Sequence, residues 1–197
     1  PIVAQTPQGP QLITCAEPLV IAYDPQSGRE LWRASCLGAD VAPSPIFAGG
    51  LVFAVNSNIE LVAIKVDGSG DVSKTHIAWR AEDGIPDICS PVSDGELVFL
   101  LTSDYAKLTC YRLSDGTRLW QQDFEESFNA SPSLVGGLLY LLTTDGTMIV
   151  AQAGLEYREV ARFELTDTCR ASPAFTDGRI FIRGDQNLYC IGNAQVE

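Results

Sequence analysis

Histidine and methionine each occur once in the 197 residues, and no two of the six cysteines are adjacent. The single histidine, His76, lies beside an insertion and reads as a solvated turn residue rather than a catalytic base. No Gly-x-Ser-x-Gly elbow, phosphate loop or zinc-type Cys-x-x-Cys spacing is present, so the familiar hydrolase, nucleotide and zinc chemistries have no foothold. Long apolar runs are missing too. The longest, such as Leu97 to Leu101, fall far short of the roughly 20 residues a transmembrane helix needs. Cationic side chains are scarce: 13 Lys and Arg face 25 Asp and Glu, a formal net charge of −12 with no basic cluster. Such a surface repels phosphate backbones, which excludes nucleic acid as a partner and keeps a β-rich chain soluble. No segment sustains a 3.6-residue apolar period, so essentially no helix is expected. No signal peptide is visible either, but Pro1 falls inside a repeat, and an upstream segment is expected to be missing.

What the chain has is a phrase used four times. Ser44-Pro45, Ser90-Pro91, Ser131-Pro132 and Ser172-Pro173 are each followed by a Gly-Gly or Asp-Gly turn. An apolar run then follows, such as Leu51-Val52-Phe53 or Ile180-Phe181-Ile182. The steps between the serines are 46, 41 and 41 residues. A period in the forties made of hairpin-sized pieces is that of a β-propeller blade, so the fold class is all-β with four-stranded antiparallel blades. Proline is tolerated at the start of strand A, and the two-residue turn is a strong hairpin signal into strand B. Polar turns such as Thr144-Asp145-Gly146 then lead to strands C and D. Asp94, Asp115, Asp145 and Asp177 sit in Asp-Gly turns, where their role is conformational.

Two further slots repeat. Cys110 and Cys190 align with Ala22, Ala63 and Ala151, a small buried site where cysteine behaves as a small hydrophobe. Cys15, Cys36, Cys89 and Cys169 fall in unrelated slots, and all six thiols are expected to be free. Ten residues after Ala22 and Cys110 stand Trp32 and Trp120; an insertion, Asp67-Gly68-Ser69-Gly70-Asp71, moves Trp79 to 16 residues after Ala63. In the fourth unit Ala161 replaces the tryptophan, and Phe163 is expected to fill part of its space. A large indole on an outer strand bridges to the next blade and buries a large apolar area.

The pattern Ala22-x-Asp24-x-x-x-Gly28-x-x-x-Trp32 resembles the tryptophan-docking motif of the PQQ-like propellers. That superfamily holds the quinoprotein dehydrogenases and the non-catalytic, BamB-type assembly factors. The resemblance runs through the whole chain and implies an eight-bladed ring whose last outer strand comes from the N-terminal end. Cutting at each proline gives blades 1–44, 45–90, 91–131 and 132–172 and an incomplete unit 173–197, about 4.75 blades with 19 strands. On this reading Glu197 lies near a natural end and Pro1 does not. The remaining blades are expected from a missing N-terminal part or from a second chain, because open blade faces and strand edges aggregate.

For function, the resemblance implies two classes. A PQQ-dependent dehydrogenase needs a vicinal Cys-Cys ring over the cofactor and a Ca²⁺ among clustered oxygen ligands, and neither is legible here. A scaffold that binds a protein or peptide outside the cytoplasm, without cofactor or metal, is the favoured reading; the sensory propeller of a membrane kinase is a relative of it. Recognition resides in loops on a rigid support, and the segments before each Ser-Pro differ between units. They nominate Asp87, Asn129 and Arg170 as loop contacts. Arg183 is a fourth outlier and candidate contact, in a slot aligned with Val55, Leu100 and Leu142, and is expected to pair with Asp185 or, as the alternative, to line the central channel.

Overall fold

The computed structural model describes residues 1–38 and 40–192, so the expectation attached to Glu197 lies outside the described residues. Among these residues the chain forms strands and no helix. Sheet I contains β1 (Ile2–Thr6), β2 (Gly9–Ala16), β3 (Leu19–Tyr23) and β4 (Glu30–Ser35). Sheet II contains β5 (Ile46–Ala48), β6 (Leu51–Asn56), β7 (Glu60–Lys65) and β9 (Ile77–Ala81). Between the last two lies β8 (Gly70–Asp71), which runs parallel to β4 and joins the outer edge of sheet I. This strand brings the total to twenty, one more than expected, and it is the five-residue insertion that supplies it. Sheet III contains β10 (Val92–Ser93), β11 (Leu97–Leu101), β12 (Lys107–Arg112) and β13 (Arg118–Asp123). Sheet IV contains β14 (Ser133–Val135), β15 (Leu138–Leu142), β16 (Thr147–Gln152) and β17 (Arg158–Glu164). Sheet V has three strands, β18 (Ala174–Thr176), β19 (Arg179–Arg183) and β20 (Leu188–Gly192).

Each four-stranded sheet is an antiparallel meander, the blade of a β-propeller. The middle strands β6, from Leu51 to Val55, and β11 are apolar because they are covered on both faces, so they lack the polar alternation of a half-exposed sheet. Four core clusters each straddle one junction between consecutive sheets. Trp32 of sheet I, for example, packs with Val52, Ala54, Val62 and Ile64 of sheet II. Sheet V has such a neighbour on one side only. Its Ile182 is buried against sheet IV, whereas Leu188 is 69% exposed.

Register corrects two slot assignments. The small slot of sheet IV holds Val150, not Ala151, because Val150 pairs with Tyr140 and Ala161 just as Cys110 pairs with Phe99 and Trp120. The paired positions Val150 and Ala161 are 11 residues apart, against 10 for Ala22 and Trp32 and for Cys110 and Trp120, which displaced the count. Arg183 aligns with Leu101 rather than Leu100, since these residues face Leu188 and Leu108. The slot is also not buried everywhere: Cys110 is enclosed, but Cys190 is exposed on the open side of sheet V. All six thiols are free.

The serines of the repeated phrase hold the sheets together edge to edge. The backbone N–H of Ser44 donates to Ser90 Oγ (2.9 Å), that of Ser90 to Ser131 Oγ (2.9 Å), and that of Ser131 to Ser172 Oγ (3.0 Å). A hydroxyl that accepts from the same residue one blade back explains a serine at this slot in every unit. The indoles link the outer strands. Trp79 Nε1 donates to Leu113 O (2.9 Å) and Trp120 Nε1 to Gly154 O (3.0 Å), each in the next sheet. Trp32 Nε1 reaches sheet II through a relay, donating to Gln11 Oε1 (2.9 Å), whose Nε2 donates to Val66 O (3.2 Å).

Candidate functional site

In an antiparallel meander the turn between the second and third strands lies at the same end as the connection into the next sheet. The nominated loop residues therefore share one face of the propeller with these turns. Along that face the positions two before each serine form a row, Ala42, Ile88, Asn129 and Arg170, all exposed. The positions one earlier are Val41, Asp87, Phe128 and Cys169, which point inward to differing degrees; Phe128 and Cys169 are fully buried. Asn129 and Arg170 thus occupy equivalent exposed slots in neighbouring sheets, whereas Asp87 stands where other units place an apolar side chain.

Asp87 has an internal role. Its carboxylate accepts from Ser103 Oγ (2.5 and 2.6 Å) and more distantly from Ser103 N (3.4 Å), and its own carbonyl accepts from Ser57 Oγ (2.9 Å). Desolvation alone would raise its pKa, but these hydrogen bonds and nearby backbone amides outweigh it and hold the carboxyl below its ordinary value. Arg170 makes a 3.7 Å ion pair with Asp185. The partner expected for Arg183 is therefore taken by Arg170, and Arg183 Nε instead donates to Gly184 O (2.8 Å). Arg183 lies on sheet V, apart from the row.

Beside Asp87 a cleft of about 510 Å³ opens between sheets II and III. Its walls are the connection Glu82–Asp87, Asn58 from the turn after β6, and Thr102, Asp104, Tyr105 and Lys107 from the turn after β11. The walls are firmly held. Tyr111 Oη donates to Asp83 O (2.5 Å), Asn58 N donates to Pro86 O (3.2 Å), and Arg118 pairs with Asp83 at 2.9 Å. Gly84, at φ +60°, lies so close to sheet III that a Cβ there would be 2.0 Å from Thr109 Oγ1. A side chain at 84 would prise the connection off β12.

Tyr105 is 75% exposed, while its neighbour Ala106 is buried and accepts from Phe124 N (2.8 Å), so the ring is displayed on an anchored turn. Ile59 and Ile88, also exposed, flank the same loops. Lys107 is engaged with Asp123 at 3.7 Å. Among the described residues neither Glu82 nor Asp104 has an ion-pair partner, which leaves the mouth acidic.

A family model described as outer membrane protein assembly factor BamB matches residues 2–87 and again 71–155. The chain belongs to this BamB-type, PQQ-like repeat family. Among solved structures, BamB from Moraxella catarrhalis superposes with a TM-score of 0.71 at 14% identity, covering 96% of this chain and 57% of that one. A chain of the Mitotic Checkpoint Complex gives 0.75 at 14% identity, covering 98% and 60%. The computationally designed Ika8 protein gives 0.70 at 11%, covering 94% and 59%. These likenesses concern the fold, and the chain spans less than two thirds of the length of each. A search of curated proteins finds no match in sequence.

Family membership raises the question of a quinone cofactor, and the residues present do not fit one. No two cysteines are vicinal. The turn carboxylates are used locally: Asp94 Oδ1 accepts from Leu97 N (2.7 Å) and Asp115 Oδ1 from Thr117 N (2.9 Å). Tyr105, Glu82 and Asp104 were not among the sequence-nominated residues. One signal for them was available: the turn between the second and third strands runs to five residues in unit three, Thr102 to Ala106, against three in unit two and four in unit four.

Proposed function

We propose that this BamB-type propeller is a non-catalytic docking module that binds a protein or peptide segment on the loop face, outside the cytoplasm. The observation that carries the proposal is the cleft between sheets II and III. It has an exposed aromatic on an anchored turn, two exposed isoleucines, Ile59 and Ile88, next in sequence to its lining residues Asn58 and Asp87, and walls fixed by hydrogen bonds. Exposed aromatic and aliphatic side chains grouped on a rigid support are the usual centre of a protein interface. Among the described residues, three of the eight large hydrophobic residues that stand exposed gather here. Two likenesses agree in kind, one with an assembly factor and one with a member of a multiprotein complex. The family description, an outer membrane protein assembly factor, supports the extracytoplasmic setting; no described helix is long and apolar enough to cross a membrane.

The same reading assigns further units of the repeat to the open side of sheet V, from a longer polypeptide or a second copy. Cross-linking in the native host tests the docking role. A photoreactive residue replacing Tyr105 should give one discrete, reproducible adduct with another protein, and one replacing Glu156, exposed at the opposite end of sheet IV, should not. Equal, diffuse labelling from both positions would refute a defined docking site. PQQ- and Ca²⁺-dependent dye reduction by the purified full-length protein would refute the non-catalytic assignment.

A further inference from the structure

We infer that the segment docked in the cleft between sheets II and III is cationic, an extended stretch presenting arginine or lysine. This inference rests on the docking reading above and adds the chemistry of the partner. Three independent features meet at one place. The first is shape: about 510 Å³ is room for one or two long side chains entering between the sheets, with buried Ile85 as an apolar lining. The second is charge. Glu82 and Asp104 come from opposite walls, both exposed and neither ion-paired among the described residues, while the one lysine of the lining is turned to Asp123. Asp87 adds a third carboxylate, held ionised by Ser103 at neutral pH. The third feature is the ring of Tyr105, 75% exposed beside Asp104. A guanidinium laid on a tyrosine face and flanked by carboxylates combines cation–π attraction with charge-assisted hydrogen bonds. The alkyl stem of the same side chain can lie along Ile85 and Ile88.

A neutral or acidic segment would leave Glu82 and Asp104 facing apolar or like-charged groups as water is squeezed out, which is costly. The net charge of −12 over the whole chain draws a cation in before contact.

The measurement is fluorescence anisotropy on the full-length protein. Its probes are a labelled peptide alternating arginine with glycine, the same peptide with glutamate for arginine, and one with tyrosine and leucine for arginine. The arginine peptide should bind, weakening as salt rises. The double variant Glu82→Gln, Asp104→Asn and the single variant Tyr105→Ala should each weaken it about tenfold, the size expected for losing partly desolvated charge and aromatic contacts. Neutralising Glu96 and Glu156, two exposed carboxylates in turns at the opposite end of the sheets, should leave it unchanged. Equal weakening by both double variants would mean that general acidity attracts the peptide, and would overturn the inference. Binding of the tyrosine–leucine peptide that is lost in Tyr105→Ala but indifferent to Glu82 and Asp104 would overturn the cationic partner while leaving the docking site standing. No response of any peptide to any of these variants would overturn both.

Discussion

Asp87 illustrates how one side chain can look like a contact residue in sequence and act as a tie in the fold. It interrupts a slot that holds Val41, Phe128 and Cys169 elsewhere, and its carboxylate is spent on Ser103, which is only 3% exposed. Asp87→Ala should therefore destabilise the protein by about 1–3 kcal/mol at neutral pH, because it strands a buried hydroxyl and amide. The pH dependence has a definite sign. A carboxyl held below its ordinary value of 3.8 contributes stability that is full above that value and is lost as pH falls through the folded value. Urea unfolding at pH 7 and at about pH 3 should thus show the gap between the two proteins narrowing in acid. A gap that stays constant would mean that packing, not charge, is what the substitution removed. The cysteines teach the complementary lesson. Burial pushes the Cys89 and Cys110 thiols up to about 12, so they remain protonated fillers of small apolar sites.

At the scale of elements, the junction between two sheets is the unit of design. The junctions II–III and III–IV each join a serine-to-backbone hydrogen bond near the inner strands, a two-sided apolar layer in the middle and an indole at the outer edge. Among the described residues, junction I–II has the indole without the serine bond, and junction IV–V the serine bond without an indole. Gly116 shows how close the outer contact is. Its φ is +72°, and a Cβ there would stand 2.6 Å from Trp79 Cε3 in the neighbouring sheet. Gly116→Ala should raise both the turn strain and the indole clash, costing about 1–3 kcal/mol in thermal or urea unfolding. Gly137→Ala, with a similar φ of +76° but nothing within 4 Å, isolates the strain alone and should cost less. Equal losses would show that the indole moves aside freely. The insertion that forms β8 strengthens one junction further. It adds a strand to sheet I from sheet II, and Ser73 Oγ accepts from Ser35 N at 2.8 Å.

For the whole molecule, the four sheet junctions leave sheet V open on the side of Phe181, Arg183, Leu188 and Cys190. The equivalent of Cys190 in sheet III, Cys110, is fully enclosed, so thiol reactivity reports whether this side is covered. In the isolated 197-residue chain as a monomer, Cys190 should react first with a disulfide reagent, and Cys190→Ser should remove that fast phase. Protection that grows with protein concentration would identify a second copy as the cover; protection only in a longer polypeptide would identify further units of the same chain. A fast Cys190 in every form would remove the assignment of additional units there. Much of this architecture was legible beforehand. The Ser-Pro phrase, the two-residue turns and the indoles recur because each sheet must meet its neighbour in the same way, and a repeated physical demand leaves a repeated residue. Slots slipped by one, as at Val150 and Leu101, because counting along a chain cannot see a register that only pairing fixes. The cleft was less accessible still. Glu82, Asp104 and Tyr105 are unremarkable as residues in two separate loops, and only the packing of sheet II against sheet III sets them around one space. By itself, then, the sequence determined the all-β repeat and the chemistry of each junction, because those depend on local pattern and spacing. Tertiary structure decided the partner of Arg170, the exposure of Cys190 and the site itself, because these depend on which surfaces come together and which are left uncovered.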